Sequence, residues 1–250
     1  MLTRWWRNAW VFLDRPRAIR TLQRMERQLP DPRLRWAIPY LFKGKGHFRY
    51  IRPIQTPAEV VSLFTVVADL RPRRILEIGT ATGGTLYLWA QAAADDATLV
   101  SVDLPGGAFG GGYPACRSPF YRRFARPGQT LHLVRGDSHA PQTCQTVQRL
   151  FGSAAVDFLF IDADHTYEGA RADFLQYAPL VRPGGLIGFH DILPNPGDTR
   201  IQVSRLWQQL RPHLDCTEFV HADERGRRLG IGILRVGAQG LNPALVAPLA

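Results

Sequence analysis

Lysine is nearly absent from this sequence: of its 31 basic residues only Lys43 and Lys45 are lysines, and the rest are arginines. A formal charge of +10 invites an anionic partner, either nucleic acid or a lipid surface. The arginines nonetheless occur along the whole chain, with a local excess before residue 53. No domain-wide basic stripe interleaved with aromatics is visible, so nucleic acid is not expected as the main partner. Cysteine is also scarce. Cys116, Cys144 and Cys216 are odd in number and far apart, which excludes a disulfide framework and a zinc-binding spacing and fits a reducing, cytoplasmic setting. Long apolar runs are missing too, because Asp14 and Arg15 break the only apolar patch near the start, and a soluble protein is expected. Internal repeats and low-complexity tracts do not occur.

What remains is ordinary globular composition, 45% apolar and 21% charged over 250 residues, enough for one large α/β domain with an appendage. The expected division is an N-terminal basic and aromatic appendage over 1–52, a main domain over 53–237 and a C-terminal tail over 238–250. In the appendage Trp5, Trp6, Trp10, Phe12 and Trp36 are mixed with arginines. Ile19, Leu22, Met25, Glu26 and Leu29 recur at helical spacing, so a helix over about 17–29 is expected to dock on the main domain. The sharper alternative is a peripheral contact with anionic lipid through this segment.

From Thr56 the pattern becomes regular. Thr56-Pro57-Ala58-Glu59 has a hydroxyl at the N-cap, proline at the first helical position and glutamate at the third, which predicts a helix to about Leu70. Strands are expected at 74–78, 99–103, 131–135, 156–162 and 186–190. Helices are expected at 85–94, 144–151, 168–181 and 201–210. Continuous apolar strands alternating with helices predict a Rossmann-like, doubly wound, three-layer α/β fold whose parallel sheet is covered on both faces. The segments 216–221 and 229–236 flank ADERGRR and predict a closing hairpin-like pair.

In such a sheet ligands sit at the carboxyl ends of the strands, where the first strand turns into its helix. ILEIGTATGGT holds that place. Gly79 permits a tight turn, Thr80 follows it, and Gly83 and Gly84 permit close approach of a ligand or a helix. The spacing is E-x-G-x-x-x-G-G rather than the dinucleotide G-x-G-x-x-G, and Glu77 offers a carboxylate that repels pyrophosphate but welcomes a sulfonium. Asp103, ending the second strand, suits both ribose hydroxyls of an adenosine. Asp137 and Ser138, ending the third, are placed to reach the adenine. These residues favour S-adenosylmethionine over NAD as cofactor.

ILEIGTATGGT, VSVDLPGG, RGDSH, IDADHTYEGARADF and RPGGLIGFHDI, in this order, resemble the class I S-adenosylmethionine-dependent methyltransferases. The resemblance is strongest to the branch with macrocin-type sugar O-methyltransferases and the so-called cephalosporin hydroxylases, and it covers about residues 54–236. It implies a seven-stranded, mostly parallel sheet with an antiparallel last strand. A second constellation stands at the ends of the fourth and fifth strands: Asp162, Asp164 and His165, then His190 and Asp191. Carboxylates and imidazoles converging there suit a divalent metal such as magnesium, which would orient and acidify an acceptor hydroxyl. By resemblance Asp162, His190 and Asp191 are the metal ligands and Asp164 the general base. The family often has two acids where this chain has His190-Asp191, and His165 competes for the role of base. The glycine- and aromatic-rich segment 104–128 is expected to cover the cofactor and acceptor, with Tyr113, Phe120 and Tyr121 as acceptor contacts. The expected function is O-methylation of a sugar or other small polyhydroxylated molecule. The oligomeric state is left open, a homo-oligomer included.

Overall fold

The computed structural model describes residues 2–109, 112–222, 226 and 228–241, with side chains from residue 11 onward. Seven strands form one sheet: β1 (Arg74–Ile78), β2 (Thr98–Asp103), β3 (Thr130–Arg135), β4 (Val156–Ile161), β5 (Val181–His190), β6 (Asp215–Phe219) and β7 (Ile231–Arg235). Their spatial order is β3-β2-β1-β4-β5-β7-β6. β1 to β5 pair in parallel, whereas β7 runs antiparallel to both β5 and β6, closing the sheet with the expected hairpin-like pair. The order reverses beside β1, between β2 and β4, which opens a crevice at the carboxyl ends of these strands.

Alternation along the strands divides the interior in two. Ile75, Leu99, Phe158 and Phe160 pack toward α3 (Pro57–Leu70) and α4 (Gly84–Ala92). Leu76, Ile78, Val100, Leu159 and Ile161 pack toward α6 (Pro141–Phe151), α7 (Tyr167–Tyr177) and α8 (Val203–Leu210). Both faces are therefore covered, which is why the strands read as continuous apolar runs. The capping box at Thr56 forms as expected: its Oγ1 accepts from Glu59 N and its own N–H donates to Glu59 Oε2, both at 3.3 Å. Arg71, at φ 47°, ends the helix in the left-handed region.

The appendage belongs to the first of these cores. α1 (Leu2–Gln28) starts well before the expected residue 17. Pro16 suits a first helical turn, but Asp14, Ala18 and Leu22 form one buried stripe that carries the helix through it. After a 3-10 turn and α2 (Ile38–Leu41), the buried Phe42, Phe48 and Ile51 join the same cluster. β5 begins at Val181 rather than 186. The Pro183-Gly184-Gly185 stretch reads as a turn, yet Gly184 N–H donates to Val236 O and Val236 N–H donates to Gly185 O. Of the expected C-terminal tail, residues 242–250 lie outside the described residues, as do 223–225 and 227 of the ADERGRR stretch. No described helix is long and apolar enough to cross a membrane.

Candidate active site

A cavity of about 280 Å³ opens at the crevice, lined by the ends of β1 to β4. Gly79, Ala81, Asp103, Asp137, Ser138, Asp162 and Asp164 reach it; Glu77, Thr80, Gly83 and Gly84 do not. Glu77 is the main correction. Side chains of a strand alternate between faces, and position 77 falls on the α4 side, fully buried. Trp89 Nε1 donates to its Oε1 at 3.0 Å and Ser101 Oγ to its Oε2 at 2.6 Å. Burial pushes its carboxyl up to about 8, against the pull of these hydrogen bonds. It is an interior acid and not an anionic lip. Thr80 is likewise turned inward, its Oγ1 2.6 Å from Ser101 Oγ.

The glycines make room for the chain itself. Gly79 (φ 105°) lies so close to the Asp162 carbonyl that a Cβ would come within 2.0 Å of its oxygen. At Gly83 (φ 83°) a Cβ would meet the Tyr121 ring at 2.7 Å, and at Gly84 the Ile51 carbonyl at 2.3 Å. Leu104, Gly107, Ala108 and Phe109 of the expected cover line the cavity, but the aromatics expected to touch the acceptor do not. Tyr113, Phe120 and Tyr121 are buried. Phe120 stacks on Phe42 and Phe48 of the appendage at 5.7 and 5.6 Å, and Tyr121 OH donates to Ala81 O. Of the aromatics in segment 104–128, Phe109 is the one that lines the cavity, with residues 110 and 111 outside the described set.

The charge expected of Glu77 is supplied by other residues. Asp103, Asp137, Asp162 and Asp164 line the cavity, and no described Lys or Arg does. Asp103 Oδ2 accepts from Ala81 N at 3.1 Å and its Oδ1 from Gly112 N at 3.3 Å; burial raises its pKa. Such a lining repels a pyrophosphate and accommodates a cationic donor. His139 also lines it and was not singled out from RGDSH. Its Nε2 is 3.4 Å from Asp173 Oδ1, and this partner raises the imidazole to about 9.

At one end the cavity meets the second constellation through Asp162. Its Oδ1 lies 3.1 Å from His190 Nδ1 and 3.9 Å from His165 Nε2. Ligand atoms of Asp162, His165 and His190 all fall within 4.8 Å of one another. Asp191 stands behind them, its Oδ2 2.7 Å from His165 Nδ1, and holds a left-handed φ of 60°, a strain characteristic of functional sites in a residue other than glycine. The structure thus puts His165 in the cluster where Asp191 was expected, with Asp191 orienting it. Burial would lower the pKa of His190, but Asp162 and Asp191 outweigh it and hold the imidazole at about 9. His165 is raised against its own burial by the same two carboxylates. Burial would raise the pKa of Asp191, yet the two imidazoles lower it. His190 Nε2 and Asp191 Oδ1 are buried without a hydrogen-bond partner. Unpaired buried polar atoms are costly, and N and O donors gathered in this way fit a divalent cation.

Asp164 departs from its expected role. Its Oδ1 accepts from Thr166 N at 2.9 Å, and its carboxyl packs over Gly169, so it is an Asx-turn residue at the rim of the cavity. His165, itself a member of the cluster, is the base candidate that remains. Gln55 was missed: buried, it donates from Nε2 to Asp162 Oδ2 at 2.7 Å. A lone glutamine 107 residues from its partner carries no signal in sequence.

Comparison with known proteins bears on the fold and on the domain. A family model described as a methyltransferase domain matches residues 76–192. The chain is 29% identical over 127 residues to caffeoyl-CoA O-methyltransferase 2 of Zea mays, a match spanning 49% of this chain and 43% of that protein. It is 32% identical over 184 residues to the uncharacterized protein y4gI of Sinorhizobium fredii, across 71% of this chain and 19% of that protein. The chain thus spans about a fifth to under half the length of these curated relatives. Among solved structures, the O-methyltransferase from Bacillus cereus in complex with SAH aligns with a TM-score of 0.55 at 21% identity, over 70% of this chain and 79% of that one. A putative O-methyltransferase from Klebsiella pneumoniae aligns with a TM-score of 0.54 at 23% identity, over 86% and 100%. These structures establish the fold as the Rossmann-like methyltransferase fold.

Proposed function

We infer that this chain, which carries a methyltransferase domain over residues 76–192, transfers the methyl group of S-adenosylmethionine to a hydroxyl oxygen of a sugar or another small polyhydroxylated molecule. The observation that supports this best is the junction at Asp162, where an acid-lined cavity meets a largely buried cluster of two imidazoles and two carboxylates. Asp103 would accept from the ribose hydroxyls and the segment Gly136 to Ser138 would reach the adenine, a reading supported by their lining the cavity. His165 Nε2, with Nδ1 held against Asp191, would take the hydroxyl proton as the oxygen bonds the methyl carbon and the carbon–sulfur bond breaks. Asp162 and His190 would hold a divalent cation, which when bound supplies Lewis acidity to the acceptor hydroxyl and leaves His165 Nε2 for the proton. Gln55 keeps the Asp162 carboxylate in place from the opposite wall.

A phenolic hydroxyl is the second reading, supported by the similarity to caffeoyl-CoA O-methyltransferase 2. Calorimetry with S-adenosylmethionine, its demethylated product and NAD tests the cofactor. The two sulfur compounds are expected to bind and NAD not to, and Asp103→Asn should weaken donor binding about 10- to 100-fold, as for a lost charged hydrogen bond. Mass spectrometry of glycan, glycolipid and phenolic extracts for a cofactor-dependent gain of one methyl group then identifies the acceptor. Asp191→Asn and His190→Ala are expected to abolish turnover while product binding survives, and EDTA to inhibit. Full activity in EDTA would remove the metal, and absence of donor affinity in a folded sample would remove the whole reading.

A further inference from the structure

The charge of +10 is confined to one end of the molecule. Residues 1–52 hold 13 Lys and Arg against 3 Asp and Glu, whereas residues 53–250 hold 18 of each. The structure sorts this charge further. Of the two acids in α1, Asp14 is buried, with Arg17 at 3.7 Å, and Glu26 is turned inward to accept from Tyr87 OH. Asp31, the third acid of the appendage, caps the 3-10 turn by accepting from Arg33 N. On the outer face of α1 this leaves Phe12, Leu13, Arg17, Arg20, Arg24 and Arg27, with no exposed acid among the described side chains of the helix. α1 packs on α2 and on the turn at residues 46–48. There Leu41 is exposed, with Lys43, Lys45 and Arg49, so the only two lysines of the chain belong to this region. Phe12 is 67% exposed and Leu41 62%.

Large apolar side chains standing in water are unremarkable when isolated. Grouped among cations with the acids turned away, they form an amphiphilic cationic face. Charge alone would fit nucleic acid, but exposed leucines gain nothing from phosphates and do gain from an acyl boundary. We propose that the outer face of α1 and the 41–49 segment dock on an anionic lipid bilayer. The arginines and lysines would meet headgroup phosphates, and Phe12, Leu13 and Leu41 would enter the interface. The surface leads toward the site, since residues 49–55 run from it to Gln55, and Ile54 beside Gln55 is 71% exposed. The proposal does not depend on the acceptor or on catalysis.

The test is sedimentation of the whole 250-residue chain with vesicles of phosphatidylcholine alone and of phosphatidylcholine mixed with phosphatidylglycerol. Binding is expected to the mixed vesicles only and to fade as salt shortens the Debye length. A Phe12→Ser/Leu13→Ser variant and an Arg20→Gln/Arg24→Gln variant should each partition about 10-fold less or worse. All four side chains are exposed, so the fold is kept; circular dichroism and calorimetry with the demethylated cofactor on the same samples check it separately. No sedimentation with either vesicle, sedimentation unchanged by the serine pair, or stronger binding to duplex RNA than to the mixed vesicles overturns the proposal.

Discussion

Glu77 shows how far a single residue departs from its motif. Next to a glycine turn at a strand end a carboxylate reads as a ligand group, but strand alternation aims it at Trp89 and Ser101. Its folded pKa of about 8 exceeds the ordinary 4.5, so the native state keeps a proton that the unfolded chain releases first. The stability this group contributes is whole below pH 4.5 and declines as pH rises through 8, at about 1.4 kcal/mol per pH unit in between. Glu77→Gln should therefore be tolerated and should flatten the fall in unfolding free energy between pH 5 and 8, measured by urea titration at several pH values. A variant as pH-sensitive as the parent would show that Glu77 is ionised in the fold. His139 behaves in the same sense, its raised pKa tied to Asp173. RGDSH places it in the sequence, but two residues of α7 hold it, the Gly169 carbonyl 3.1 Å from Nε2 and the buried Asp173 at 3.4 Å.

At the scale of elements, the box at Thr56 was legible because its chemistry is local. What the box also does was not. Glu59 is fully buried, and its Oε1 accepts from His221 N at 3.2 Å and from Gly230 N at 3.1 Å, tying the start of α3 to both ends of the β6–β7 connection. Thr56→Ala is expected to cost about 1 kcal/mol, an ordinary cap loss. Glu59→Ala strands two further amides, that of Gly230 buried and that of His221 part-buried, and should cost about 3 kcal/mol. Equal losses in denaturant titration would mean that the hairpin amides find other partners. Segment 104–128 went the other way: its glycines and length read as a mobile cover, while its aromatic rings pack into the core.

For the whole molecule, the appendage is part of the main core. Phe48 is fully buried 5.6 Å from Phe120, and Gly84 leaves room for the Ile51 carbonyl at the first turn of α4. Phe48→Ala should therefore destabilise the sheet itself, by about 3–5 kcal/mol, lowering the melting temperature by about 10 °C in a chain of this size. Circular dichroism of the full chain checks this; a local loss of helix with an unchanged main transition would make the appendage an independent unit.

The sequence by itself determined the alternating elements, the parallel sheet, the strand-end position of the site and the carboxylates and imidazoles gathered there, because hydrophobic period and turn chemistry act over a few residues. Only the tertiary structure decided which carboxylates face the cavity, that His165 joins Asp162 and His190 while Asp164 caps a turn, and that Gln55 reaches Asp162. Those outcomes depend on the face a side chain takes and on contacts between segments a hundred residues apart, and no local pattern encodes either.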